Sequence, residues 1–98
     1  MTDSVMQHRK ECLVCGSSNV ELHHVLFGNP RRKFADEDGL WVWLCPEHHR
    51  GTHGVHGNDG HELDISLKKT AQEIYERNHT REEWIARYRK SYLGEDDG

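Results

Sequence analysis

Cysteines and histidines at a repeated spacing are the residues of this chain best suited to chemistry. Cys12 and Cys15 are separated by two residues, and Cys45 and His48 repeat this spacing later in the chain. A two-residue gap lets a turn direct both side chains at one ion, and two such pairs form the closed tetrahedral site of structural zinc. The spacing therefore predicts a zinc site with Cys12, Cys15, Cys45 and His48 as ligands, with His49 as the alternative to His48.

The cysteine count also favours a metal over disulfide bonds. The chain has three cysteines, an odd number, and Met1–Lys10 is polar, without the apolar stretch of an export signal. Thiols in a reducing compartment are more often metal ligands than disulfide partners. We therefore expect a cytoplasmic protein with a thiolate-bound metal; buried or incidental thiols are the alternative interpretation.

Further histidines lie close to these pairs in sequence: His23, His24, His49, His53 and His56. Near neutral pH, imidazole can act as a base or bind a divalent cation. Hydrolysis of a phosphodiester needs both, because water must lose a proton and the charge on the phosphate and leaving oxygen must be stabilised. Helical geometry favours His49 and His53 as paired ligands, because positions i and i+4 share a face.

Two short strands are predicted to position these side chains. The segment 20–27 is rich in β-branched and apolar residues and should form a strand that carries His23 and His24, with a loop over 28–39. The second strand is Leu40–Leu44. Adjacent residues of a regular strand point to opposite faces, so His23 and His24 can face one site only if the strand is distorted.

Helices are predicted for much of the remaining chain. Pro46 suits the first turn of a short helix over 47–52, and the glycine-rich segment 54–60 should be a loop. Two amphipathic helices follow, and Thr80 and Glu83 form a capping box at the start of the second. The apolar face of the first consists of Leu67, Ala71, Ile74 and Tyr75. The apolar face of the second consists of Trp84, Ile85, Tyr88 and Tyr92.

With 98 residues, the chain is expected to be a single α+β domain. A domain of this size buries too little apolar surface to be very stable, so a zinc ion should strengthen it. No apolar run approaches the roughly 18 residues that a membrane helix needs, and we expect no membrane partner. The predicted segments are an N-terminal arm (1–10), a zinc-bound core (11–62), C-terminal helices (63–93) and an acidic tail (94–98).

The run Cys12–His56 resembles the HNH family of endonucleases, whose His-Me finger or ββα-metal core holds a metal between two strands and a helix. The segments Leu44–His49 and Gly54–His56 are most similar to small HNH proteins of phages, and a looser similarity extends to Thr80–Trp84 and Tyr92–Leu93. The resemblance implies a small zinc-stapled ββα-metal core with two C-terminal helices. It also implies metal-dependent hydrolysis of nucleic acid, with DNA as the expected partner, in a phage-infected or prophage-bearing bacterial host.

The resemblance also implies roles for individual histidines. In the family, the first strand ends in a metal ligand followed by the general base, which corresponds here to His23 and His24. The helix then returns further ligands to the same ion, which would be His49 with His53 or His56. The spacing favours His53, whereas the resemblance favours His56.

Two further features follow from the family layout. The family's asparagine, which steadies the base, is replaced here by Asp38, whose carboxylate could substitute for it. Arg31, Arg32 and Lys33 lie in the loop that should contact the nucleic-acid backbone. Because the ligands are imidazoles, the catalytic cation should be Mn²⁺, Ni²⁺, Co²⁺ or Zn²⁺ in preference to Mg²⁺.

Net charge leaves a second interpretation open. The formal charge is −4, whereas proteins that bind the phosphate backbone usually carry a basic excess. A non-catalytic zinc module that binds DNA or protein is therefore the alternative function. For a domain this small, we also expect a homodimer or a phage protein partner to place the substrate.

Overall fold

The computed structural model describes residues 2–93, which form an α+β fold with one two-stranded sheet and, in this part of the chain, four helices. The predicted acidic tail at 94–98 lies outside the described residues. None of the described helices combines the length and apolar character needed to cross a membrane. In chain order the elements are β1 (Glu21–His24), α1 (Arg31–Asp38), β2 (Trp41–Leu44), α2 (Pro46–Arg50), α3 (His61–Tyr75) and α4 (Arg81–Tyr88).

The strands β1 and β2 are antiparallel, and β1 is shorter than the predicted 20–27. Its last paired residue is His24, opposite Trp41. Val25 and Leu26 leave the ladder and are buried in the core. The apolar run was long enough to suggest a longer strand, but its last residues are apolar because they fill the core, not because they continue the sheet.

Helix α1 occupies most of the segment 28–39, so the prediction of a loop there was wrong. Pro30 precedes the helix, and Gly39 ends it in the left-handed conformation with φ 72°. Ala35 is fully buried and Phe34 packs against the core. The proline and the glycine that suggested a loop are therefore the two boundaries of a short helix.

The N-terminal segment, which has no hydrophobic period, is bound along β2. The indole Nε1–H of Trp41 donates to the carbonyl of Thr2 at 2.8 Å. The backbone N–H of Trp43 donates to the side-chain oxygen of Gln7, also at 2.8 Å. These contacts cover the edge of β2 that β1 does not pair with, so the segment is part of the fold and not a free arm.

The C-terminal helices bury aromatic side chains, as predicted, but one aliphatic side chain of the predicted apolar face is exposed. Trp84 is 0% exposed and Tyr88 is 1% exposed. The capping box is confirmed, because Thr80 accepts from the backbone N–H of Glu83 and its own N–H donates to the Glu83 carboxylate. Ile85, predicted on the apolar face, is 41% exposed, so the buried stripe is narrower than the sequence indicated.

Candidate metal centres

Four side chains from the predicted zinc site converge on one point, and we call them the cysteine cluster: Cys12, Cys15, Cys45 and His48. Their potential ligand atoms all lie within 4.8 Å of one another. The sulfurs of Cys15 and Cys45 are 3.8 Å apart. His48 Nδ1 lies 3.6 Å from the sulfur of Cys12 and 3.2 Å from that of Cys45. The arrangement could hold one metal ion.

Three local structures bring the cysteine cluster together. Cys12 and Cys15 lie in a tight turn that ends at Gly16, whose N–H donates to the carbonyl of Cys12 and whose φ is 79°. Cys45 is the N-cap of α2. His48 lies in the first turn of that helix, so its ring reaches back toward the sulfurs. A left-handed φ at Gly16 suits glycine and lets both thiols face the same side.

Backbone amides around Cys12 favour its thiolate form. Burial raises the pKa of Cys12, but hydrogen bonds from the backbone N–H groups of Cys45, Cys15 and Val14 outweigh this effect. Together they lower the pKa of the thiol to about 6. A thiolate is the form of cysteine that binds a metal. The turn therefore positions this sulfur and favours its thiolate form.

Three histidines form a second group, which we call the histidine cluster: His23, His49 and His56. Their ring centroids lie between 5.1 and 5.2 Å apart. His53, the alternative ligand, is outside the group. Its side chain is 70% exposed and lies 3.7 Å from the carboxylate of Asp59. Of the two residues left open by the sequence, the structure brings His56 to the others.

The histidine cluster depends on a chain reversal after α2. His23 comes from β1 and His49 from α2. The backbone N–H of His56 donates to the carbonyl of His49 at 3.1 Å, so the chain folds back onto the helix. At Gly54, a Cβ atom would lie 2.6 Å from the carbonyl oxygen of Glu47. Only glycine fits this close approach, which brings His56 to the cluster.

His23 shows that the histidine cluster fits a cation. Its side chain is 2% exposed, and its Nε2 atom is buried without a hydrogen-bond partner among the described residues. Burial, followed by the charges of His49 and His56, lowers the pKa of His23 to about 3. The ring is therefore neutral at physiological pH. A buried nitrogen without a partner is costly, and a metal ion is a partner that would satisfy it.

Glu21 orients His49, a contact that no pattern in the sequence predicted. His49 Nδ1 lies 2.7 Å from the Glu21 carboxylate, which also receives a hydrogen bond from Arg50 at 2.6 Å. Hydrogen bonds from Arg50 and His49 lower the pKa of Glu21 to about 2. The ionised carboxylate therefore holds a proton on His49 Nδ1 and leaves the lone pair on Nε2. Metal-binding histidines commonly have such a carboxylate partner.

The carboxylate that contacts His24 is Asp36, not Asp38. His24 Nε2 lies 3.1 Å from Asp36 Oδ1. Asp38 instead accepts hydrogen bonds from the hydroxyl of Tyr88 at 2.5 Å and from Arg87 at 2.9 Å. The expectation that Asp38 steadies His24 is therefore wrong. Residues two apart on α1 point to different sides, so these two carboxylates cannot serve the same imidazole.

His24 lines two neighbouring cavities. It shares a cavity of about 220 Å³ with the histidine cluster, Phe27 and Arg32. His23 and His24 both border this cavity, because His24 ends β1. The larger cavity, of about 720 Å³, is lined by His24, Gly28, Asn29, Arg32, Lys33 and Asp36. Two of the three predicted basic residues therefore lie beside His24, whereas Arg31 lines neither cavity.

No protein-family model matches the chain, and neither a curated protein nor a solved structure matches it. Function is therefore inferred from the geometry of the two clusters and of His24.

Proposed function

We propose that the chain is an HNH-type endonuclease with a zinc-stapled ββα-metal core, which hydrolyses DNA phosphodiesters with His24 as the general base. One observation carries the proposal. An imidazole held by a carboxylate shares a cavity with three further imidazoles that could hold a divalent cation. A base and a cation at one site are the two requirements of phosphodiester hydrolysis.

Interatomic distances favour zinc at the cysteine cluster. For a tetrahedral zinc with bonds of about 2.3 Å to sulfur and about 2.0 Å to nitrogen, two sulfurs lie about 3.8 Å apart and sulfur and nitrogen about 3.5 Å apart. The Cys15–Cys45 and Cys12–His48 separations are 3.8 and 3.6 Å, whereas the Cys45–His48 separation is shorter, at 3.2 Å. Four protein ligands leave no open position, so this ion would be structural.

The donor set of the histidine cluster suits a catalytic ion. Three neutral imidazoles leave coordination positions open, and nitrogen ligands favour Mn²⁺, Co²⁺, Ni²⁺ or Zn²⁺ over Mg²⁺. When bound, such an ion supplies positive charge that stabilises the phosphate oxygens and the leaving oxygen. His23, His49 and His56 would hold it, and Glu21 would keep the ring of His49 in position.

His24 is placed to move the proton of the attacking water. With its Nε2–H directed at Asp36, its Nδ1 carries the lone pair that accepts a proton from water. The resulting hydroxide attacks phosphorus, and the bond from phosphorus to the leaving oxygen breaks. The Asp36 carboxylate stabilises the imidazolium that His24 becomes.

The larger cavity would hold DNA next to the cleaved bond. Arg32 and Lys33 line it on the side of His24, and both side chains are exposed. Contacts from basic side chains to phosphates fix the position of DNA without selecting its sequence. This local basic surface offsets the net acidity of the chain at the point where substrate binds.

Plasmid nicking across a metal series tests the proposal, with His53→Ala as the matched control for His56→Ala. We expect nicking with Mn²⁺, Co²⁺ or Ni²⁺ to exceed nicking with Mg²⁺. His56→Ala should lower the rate about 100-fold, because mutations of ligands to a catalytic metal remove its charge stabilisation. His53→Ala should leave the rate within about twofold of wild type, because its exposed ring makes no contact with the cluster. Activity with Mg²⁺ alone, or equal losses in both variants, would contradict it.

A binding module remains the second candidate because of one feature of the cysteine turn. Leu13 and Val14, between the two thiols, are 42% and 48% exposed. Exposed apolar side chains on a rigid turn are suited to contact a protein partner. A protein that binds both ions and nicks no plasmid with any metal would favour this function.

A further inference from the structure

Helix α3 carries a largely buried ion pair. Asp64 Oδ2 lies 2.8 Å from Lys68 Nζ, and each side chain is 12% exposed. The other carboxylate oxygen, Asp64 Oδ1, is buried without a hydrogen-bond partner among the described residues. Burying a charged pair costs desolvation free energy, and an unpartnered oxygen adds to that cost.

The pair lies beside the histidine cluster. The ammonium of Lys68 is 4.4 Å from the ring centroid of Phe27. That ring is in turn 5.2 Å from the ring of His56 and 6.1 Å from that of His23. Burial and His49 lower the pKa of His56, whereas the charge of Asp64 raises it. The pKa of His56 is lowered overall, and the opposing effect of Asp64 indicates only that this carboxylate lies near the imidazole.

His56 and Asp64 each lack the hydrogen-bond partner that the other offers. A neutral imidazole that gives one nitrogen to a metal has an N–H on the other nitrogen, which needs an acceptor. His56 is exposed, and in the described part of the chain its ring has no hydrogen bond to another residue. Asp64 Oδ1 is an acceptor that lacks a donor. The histidine on the other side of the cluster, His49, already has such a partner in Glu21.

We propose that Asp64 is the positioning carboxylate of His56: it accepts the ring N–H when the histidine cluster holds a divalent cation. Lys68 fixes the other carboxylate oxygen through the contact at 2.8 Å. Asp64 thereby brings helix α3, outside the segment that resembles HNH nucleases, into the support of the metal site. The inference rests on the metal-binding role of the histidine cluster in the proposed function.

Calorimetric titration of the zinc-loaded protein with Co²⁺ tests this role, with the visible spectrum of bound Co²⁺ as a second signal. The variant is Asp64→Asn, and the matched control is Glu62→Gln, which removes one negative charge from the same helical turn at an exposed position. We expect Asp64→Asn to raise the Kd of the histidine cluster about 10-fold, as for other carboxylates that orient metal-binding histidines. Glu62→Gln should change it less than about twofold, because an exposed charge is screened by solvent.

Equal Kd values in folded Asp64→Asn and Glu62→Gln would overturn the inference. If Asp64→Asn does not fold, the wild-type protein decides: NMR of the Zn²⁺-loaded chain should show a slowly exchanging ring N–H of His56, and its absence would overturn the inference. DNA cleavage is not measured in either experiment. A protein that binds Co²⁺ with the expected dependence on Asp64 but cuts no DNA would contradict the nuclease and leave the inference intact.

Discussion

His23 and His24 are neighbours in β1 but meet different partners. His23 points into the interior, where it joins His49 and His56. His24, at the strand end, points toward Asp36 on α1. The alternation of side chains along a strand thus separates the proposed metal ligand from the proposed base, while both residues line one cavity at the end of the strand.

Replacing Asp36 should change the nicking rate, whereas replacing Asp38 should change the free energy of unfolding. Asp36→Ala should lower the nicking rate about 100-fold, because His24 loses the carboxylate that orients it as a base. Asp38→Asn should leave the rate unchanged and lower the free energy of unfolding by about 1–3 kcal/mol, because buried hydrogen bonds to Tyr88 and Arg87 are disrupted. Single-turnover nicking and urea denaturation measure the two effects. Slower nicking by Asp38→Asn, together with an unchanged nicking rate in Asp36→Ala, would contradict this description of the site.

Residue types and spacing were enough to predict most members of the two clusters. Cysteine and histidine are common metal ligands in proteins, so candidate ligands such as Cys12 and Cys45 can be recognised before the fold is known. The carboxylates Glu21, Asp36 and Asp64 were not predicted. Their roles depend on contacts between elements distant along the chain, and acidic residues in short helices and strands are ordinarily solvated.

The cysteine cluster joins elements that are far apart along the chain. It links the turn at 12–16 to the N-terminus of α2, directly after β2. Two paired strands are marginal by themselves. An ion at this cluster should therefore contribute much of the stability of the β1–β2–α2 unit, whereas the proposed role of the histidine cluster is in chemistry.

Loss of each metal site should have a different effect on the fold. Cys12→Ala should abolish the cooperative thermal transition, because structural zinc in small domains contributes on the order of 10 kcal/mol to folding. His56→Ala should keep a cooperative transition and lose one bound ion. Circular dichroism melting with metal analysis measures both. A Cys12→Ala protein that melts cooperatively at the wild-type temperature would show that the cysteine cluster is not structural.

Element boundaries were predictable where a local signal decides them. The capping box at Thr80 and Glu83 placed the start of α4 correctly, because both hydrogen bonds form within one turn. Helix α1 was missed because only Phe34 and Ala35 of its eight residues pack against the core. So short an apolar face gives no readable period, and the helix exists because of what it packs against.

Helix α4 is hydrogen-bonded to α1, the helix that carries Asp36. The hydroxyl of Tyr88 donates to Asp38 at 2.5 Å, and Arg87 reaches the same carboxylate. Burial, together with the hydrogen bond to Asp38, raises the pKa of Tyr88. The C-terminal helices thus contact α1 through Asp38 and stabilise its position in the fold.

This contact predicts a specific loss of stability at alkaline pH. The unfolded chain loses the phenol proton of Tyr88 from about pH 10, whereas the fold retains it, so the stabilisation is complete below that pH and falls above it. Wild type should be more stable than Tyr88→Phe by an amount that is constant between about pH 7 and 9 and shrinks by about 1.4 kcal/mol per pH unit above about pH 10. Urea denaturation at each pH measures the difference. A difference that stays constant through about pH 11 would contradict a raised pKa.

The most direct test of the proposed function is the plasmid nicking rate of His24→Ala beside wild type, with metal content measured on the same samples. We expect both proteins to hold an ion in each cluster and His24→Ala to nick at least about 100-fold more slowly. That result would separate the base from the metal ligands. Equal rates in the two proteins, with equal metal content, would contradict His24 as the base and with it the mechanism proposed for this site.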